Sequence, residues 1–207
     1  MDTAVAVVQA YLQVNGYFTV CKYPVLESRR RKTRSATDVD VLAVRFPGAG
    51  REVRGRGRRR MTGATLYEPD PALQCSPGSM DMVVGEVKEG RATFNAPARD
   101  PLVLAAALAR FGCCAPEHAG ALVSRLLSDG HAETHHGHTL RLVAFGGRCE
   151  PMDRPGHLEI PLEHVVGFLQ AYLSENWDTL HAAQLKLPAL DLLALMQKCG
   201  AGVRDAD

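Results

Sequence analysis

The sequence predicts an α/β chain: a mixed β-sheet flanked by helices, with a C-terminal helical extension. Three observations carry this expectation. Residues 38–45 (DVDVLAVR) and 81–88 (DMVVGEVK) are dense in the β-branched and aliphatic residues that favour strands. A proline-initiated run of helix formers, PLVLAAALARF, follows the second of them. Near the end, Val165, Phe168, Leu169, Tyr172, Leu173, Trp177 and Leu180 recur at helical spacing. With 207 residues and 46% hydrophobic content, the chain is long enough to bury a core of its own.

Taken in order, residues 5–14 place Val7, Val8, Tyr11 and Leu12 on one helical face and stop at Asn15-Gly16, where a left-handed cap costs little. Residues 17–26 (YFTVCKYPVL) read as a first strand, with Pro24 confining that part to an edge or a strand end. A basic run turns the chain into the second strand, 38–45. The 35 residues 46–80 show little apolar periodicity and read as one long connection, either functional or disordered. The third strand, 81–88, is followed by a helix over 101–111 with Asp100 as its N-cap. Another helix spans about 116–127 and is ended by Gly130. Residues 138–145 (HTLRLVAF) predict a strand added to the same sheet, although a winged-helix half is a second way to read 116–145. A long amphipathic helix over about 161–184 and a short one over 189–198 complete the chain, so that 1–150 forms the main domain and 151–207 the helical extension.

Mean hydropathy is slightly negative, and the chain contains no uncharged apolar run approaching the roughly 18 residues a membrane span needs. The first residues lack the basic flank and cleavage site of a signal peptide, so a cytoplasmic protein is expected. Six cysteines without a C-x-x-C pair argue against a disulfide scaffold, and Cys113-Cys114 reads as a buried small-apolar pair at a helix end. The formal net charge of +1 conceals an imbalance: residues 1–99 carry 16 basic against 10 acidic groups, and the remainder 8 against 13. Much of the excess lies in Arg29, Arg30, Arg31 and Lys32, and in Arg54, Arg56, Arg58, Arg59 and Arg60. Such runs suit a polyanion, DNA or alternatively RNA, and are the expected nucleic-acid contacts.

The chemistry-bearing pattern is TDVDVLAV followed by VVGEVKEG. On a strand, Glu86 and Lys88 share a face while Val87 points the other way. If the second strand pairs with the third, Asp40 reaches the same point. Two carboxylates and a strand carbonyl form the hard oxygen shell that Mg²⁺ takes.

This arrangement resembles the PD-(D/E)xK nuclease superfamily, the restriction-endonuclease-like fold. It looks nearest to the branch of Holliday-junction resolvases and related small nucleases. The resemblance covers the order helix, strand, strand with Asp, strand with E-x-K, helix. It implies Asp40 and Glu86 as ligands of Mg²⁺ (or Mn²⁺), the Val87 carbonyl completing the shell, and Lys88 as the lysine serving the attacking water. Many relatives carry a further acid on the first helix, where this chain has Gln9 and Gln13. Glu27 or Asp38 is the candidate replacement. The implied activity is hydrolysis of DNA phosphodiester bonds in repair, recombination, restriction or defence. A non-catalytic binding or assembly subunit with the same fold, and an RNA endonuclease, are the alternatives.

Two further features complete the reading. His131, His135, His136 and His138 lack companion cysteines at zinc-finger spacing and read as a turn with solvated imidazoles. The apolar stripe 165–180 is either core or a seam for a homodimer or a larger nuclease or defence complex.

Overall fold

The computed structural model describes residues 2–29, 32–54, 62–66, 69–76, 78–149, 156–181 and 185–200, with the backbone alone at 29, 51–54 and 62–66. The first helix, α1 (Thr3–Val14), is capped by Asp2, whose carboxylate accepts the Ala4 N–H at 2.9 Å. It is followed by β1 (Phe18–Arg29), β2 (Lys32–Arg45), β3 (Gly50–Arg54), β4 (Thr62–Leu66) and β5 (Asp81–Arg91). Helices α2 (Pro101–Phe111) and α3 (Pro116–Asp129) lead to β6 (His131–Glu133), β7 (Thr139–Arg148) and β8 (Leu158–Pro161). The chain ends in α4 (Leu162–Glu175), α5 (Trp177–Leu180) and α6 (Pro188–Lys198).

Among the described residues the main sheet runs β1-β2-β5-β7-β6, with β8 also on β7. The β1–β2 and β2–β5 pairs are antiparallel and β5–β7 is parallel. The crossover needed between parallel strands is supplied by α2 and α3. Side chains alternate between two cores, as the pleat requires. Val41, Ala43, Val83, Val87, Val143 and Phe145 pack under α1, α4 and α6, whereas Leu42, Met82, Val84, Leu140, Leu142 and Ala144 pack under α2 and α3. None of the described helices is long and apolar enough to cross a membrane.

Several elements differ from expectation. β1 and β2 form a longer hairpin than the apolar residues alone mark, its last described rung being Arg29 opposite Lys32. Hairpin hydrogen bonding continues through residues whose side chains are solvated. Pro24 lies opposite Asp38 on this edge strand, the place a sheet tolerates proline.

The connection 46–80 is not structureless. It contains a second hairpin, β3–β4, with Gly50 opposite Leu66 and Arg54 opposite Thr62. A 3-10 turn at Pro71–Leu73 follows, capped by Asp70 and anchored by fully buried Leu73. Its arginines and glycines hid the strand signal.

The helix expected over 161–184 breaks at Asn176, whose side-chain amide donates to the Tyr172 carbonyl at 2.8 Å and ends α4. β8 was not expected, and it changes the reading of the C-terminal part. Ala144 pairs with Glu159 and Phe145 with Ile160, so 151–207 contributes a strand to the sheet as well as helices. Val165, Leu169 and Leu173 of α4 share one core with Val8, Tyr11 and Leu12 of α1. Val165, Leu169, Leu173 and Leu180 of the expected stripe are therefore core, while Phe168, Tyr172 and Trp177 are half-buried. The strand expected at 138–145 joins the sheet beside β5 as β7, and the winged-helix alternative falls away.

Candidate active site

The last rung of the β2–β5 ladder is Val41 opposite Gly85. One residue further on, where the strands part, stand Asp40 and Glu86. A backbone N–H at the end of a ladder needs another acceptor, and Asp40 provides it: its Oδ2 accepts the Val87 N–H at 2.9 Å. The Val87 side chain points into the α1-side core, as alternation requires.

Glu86 and Lys88 do share a face, and the Lys88 Nζ lies 2.5 Å from the Glu86 Oε1. The same oxygen accepts the Asn95 Nδ2 amide at 2.7 Å. Asn95 is itself held, because its Oδ1 accepts the Ala98 N–H at 2.7 Å at the start of a 3-10 turn. Asp40 has its own cation: the Lys22 Nζ donates to its Oδ1 at 2.6 Å. Sequence reasoning missed both Lys22 and Asn95. Lys22 falls inside an apolar strand pattern, and Asn95 lies beyond the strand in a segment without periodicity.

The carboxylates lie inside and the ammonium groups at the surface. Asp40 is 8% and Glu86 2% exposed, while the Lys22 and Lys88 side chains are 42% and 36% exposed. Burial pushes the Glu86 carboxyl above the ordinary glutamate range. The hydrogen bond from Lys88 opposes this shift, and the Asp40 charge adds to it. The hydrogen bond to Asp40 raises the Lys22 ammonium, burial opposes it, and the charges of Asp40 and Asp2 add to the rise.

The candidate extra acids do not join this group. Glu27 is ion-paired with Arg34 up the β1–β2 hairpin, five residues along the strand from Lys22. Asp38 is exposed and accepts the Ser35 hydroxyl at 3.5 Å. Gln9 and Gln13 of α1 donate to the Thr19 hydroxyl at 3.4 and 2.9 Å. Among the expected nucleic-acid contacts, Arg29 and Lys32 flank one hairpin tip and Arg54 ends β3. Arg30, Arg31, Arg56, Arg58, Arg59 and Arg60 lie outside the described residues.

One buried network ties β5 and β7 to the turn after β4, and a second, partly exposed one joins α1, that turn and α4. Arg141 of β7 donates from Nε and Nη2 to the two Asp81 oxygens at 2.8 and 2.6 Å, and from Nη1 to the Leu73 carbonyl. Tyr17 adds a 2.5 Å hydrogen bond to Asp81. Burial works against the Arg141 charge, but Asp81 outweighs it and leaves the guanidinium raised. Asp70 accepts the Tyr11 hydroxyl at 2.7 Å, and the His164 Nε2 lies 2.6 Å from the same oxygen. Burial alone would raise Asp70; the hydrogen bonds from Ala72, Tyr11 and His164 lower it.

The histidine-rich segment forms the end of β6 and a tight turn into β7, with Thr134 N–H donating to the His138 carbonyl at 2.9 Å. The His135 and His136 ring centroids lie 3.7 Å apart with their planes tilted by 42°. Among the described residues no group of three or more His, Cys, Asp or Glu side chains is arranged to hold a metal ion. Asp40 and Glu86 are two carboxylates. That donor set fits Mg²⁺, which binds through one or two carboxylates together with substrate phosphate and water rather than in an all-protein cage. It is too small for Ca²⁺ or a structural Zn²⁺. Comparison with known proteins adds no relative: no family model, curated protein or solved structure matches this chain.

Proposed function

We propose that this chain is a metal-dependent nuclease of the PD-(D/E)xK type that hydrolyses DNA phosphodiester bonds in the cytoplasm, in repair, recombination, restriction or defence. The observation that supports it is the meeting of Asp40, Glu86 and Lys88 where β2 and β5 part. The order α1, β1, β2 with Asp40, β5 with Glu86 and Lys88, then α2 also follows the pattern the sequence resembles.

Mg²⁺ or Mn²⁺, when bound, supplies positive charge at the scissile phosphate and eases deprotonation of water. Asp40 and Glu86 would hold the ion, with the Val87 carbonyl as the expected third donor. The Val87 N–H fixes the Asp40 carboxylate and Asn95 fixes Glu86, so both are oriented before any ligand arrives. Lys88 positions the attacking water and stabilises charge that builds on the phosphate. The basic hairpin residues hold the backbone without reading sequence.

One observation favours a second reading, a non-catalytic nucleic-acid-binding or assembly subunit. Each carboxylate already has a lysine, so the site is electrically balanced without a metal.

The deciding experiment incubates wild type and Glu86→Ala/Lys88→Ala protein with supercoiled plasmid, linear duplex, single-stranded DNA and RNA, in Mg²⁺, Mn²⁺ or EDTA. Metal-dependent cutting that disappears in the variant supports the nuclease, and the substrate cut separates DNA from RNA. Binding in a gel shift without cutting under any condition supports the second reading.

A further inference from the structure

Lys22 has a backbone conformation unusual for its residue type. Its φ is +53° in the middle of β1, a left-handed conformation that lysine rarely adopts. The ladder registers this: Cys21 pairs with Val41 and Tyr23 with Val39, while the intervening positions Lys22 and Asp40 are not paired through the backbone. They are joined through side chains, Nζ to Oδ1 at 2.6 Å. A left-handed lysine costs at least as much as a half-exposed ion pair returns. The arrangement is therefore no gain to folding, and a strained residue at a candidate site asks for a functional reason.

Asp40 has both oxygens engaged, Oδ2 by the Val87 N–H and Oδ1 by Lys22. The Val87 contact belongs to the backbone and stays. The Lys22 contact ends in a long side chain that is 42% exposed. A divalent cation binding Oδ1 would share that oxygen with a positive charge 2.6 Å away, and repulsion between the two cations favours departure of the ammonium.

Resting on the nuclease reading above, we propose that Lys22 is a built-in counter-cation. It occupies Asp40 until a divalent metal displaces it, and its released ammonium then contacts the substrate phosphate. Before displacement, Asp40, Glu86, Lys22 and Lys88 sum to zero charge. Afterwards the same four groups with the metal carry two positive charges, and an anionic phosphate is attracted where before it was not.

The test is Mn²⁺ binding without nucleic acid, by calorimetry and by loss of the free-ion paramagnetic resonance signal. It compares wild type, Lys22→Gly, Lys22→Gln, Lys22→Arg and Glu86→Gln. Lys22→Gly suits the left-handed backbone, and Lys22→Gln keeps the stem, so at least one variant keeps the fold, checked by its melting curve. Removing the competing charge is expected to tighten Mn²⁺ binding about tenfold or more in Lys22→Gly and Lys22→Gln, while Lys22→Arg stays within about threefold of wild type. General damage to the site would weaken binding, so a gain separates competition from a structural effect.

In the cleavage assay the tighter-binding variants are expected to turn over more slowly at saturating metal. Unchanged or weaker Mn²⁺ binding in both neutral variants, with wild type binding the ion, overturns the role of Lys22 and leaves the nuclease reading standing. Failure of wild type and of every variant to bind Mn²⁺ overturns displacement of Lys22 by the metal alone, and the cleavage assay then decides the nuclease reading separately.

Discussion

Asn95 links the Glu86 carboxylate to the backbone of a neighbouring turn, donating to Oε1 at 2.7 Å while accepting the Ala98 N–H at the same distance. The acid deepest in the site is thereby oriented from outside its own strand. Asn95→Ala is expected to lower cleavage or Mn²⁺ affinity roughly 10- to 100-fold. The lost hydrogen bonds should cost about 1–2 kcal/mol of stability. Plasmid cleavage beside urea denaturation checks both. An unchanged cleavage rate would mean that the Lys88 contact alone orients Glu86.

The raised Glu86 carboxyl has two consequences with pH. Metal binding needs the carboxylate, so activity should fall on acidification at a pH above the ordinary glutamate value of 4.5. Stability runs the other way. Between the ordinary value and the raised one, the folded state holds the proton that the unfolded state has lost, so the Glu86 contribution declines as pH rises through that window. Urea denaturation of wild type and Glu86→Gln from acid to neutral pH should show wild type losing ground to the variant. A difference that does not change with pH would refute the shift.

Arg141 and Asp81 are 7% and 0% exposed and make a two-pronged contact. Removing the guanidinium leaves a buried carboxylate without its cation, so Arg141→Met should cost about 3–5 kcal/mol. Asp81→Asn in the same chain should recover part of it. Tyr17→Phe removes a single hydrogen bond and should cost about 1 kcal/mol. Denaturant midpoints at neutral pH decide the ranking, and equal losses in Arg141→Met and Tyr17→Phe would contradict it.

Gly146 passes beneath Ala92 so closely that a Cβ there would overlap the Ala92 backbone, whereas at Gly90 it would meet nothing within 4 Å. The approach lets the chain beyond β5 fold back over β7, with the Ala92 N–H donating to the Arg148 carbonyl at 2.8 Å. Gly146→Ala should destabilise by about 1–3 kcal/mol. Gly90→Ala should be close to neutral. Comparable melting temperatures for the two variants would rule out the close approach.

Period-two alternation made Glu86, Lys88 and buried Val87 legible, because a strand places side chains by sequence position alone. Asp40 was legible only on the condition that its strand lay beside β5, which the register satisfies. Lys22 was not, since nothing in the residues CKYP marks one position for a left-handed backbone. Asn95 was hidden for a different reason: its role comes from a return of the chain after β5, a tertiary event. β8 is four residues long, too short for periodicity to register, and β3 and β4 were masked by arginine and glycine. The break at Asn176 is written in a single side chain that turns back on its own helix. The apolar rhythm of the sequence continues across it.

The kink at Lys22 also has a meaning for the margin of the sheet. β1 is an edge strand twelve residues long, with exposed Phe18 and Val20 before the kink and Leu26 after it. An unbroken edge of that length, carrying apolar side chains, would be a template for a strand from another molecule. The left-handed turn at Lys22 and the proline two residues later interrupt the even row of donors and acceptors near its centre. The residue that meets Asp40 thus also breaks the rim into two pieces, each too short for firm edge-to-edge annealing, and helps keep the protein from polymerising through its own sheet.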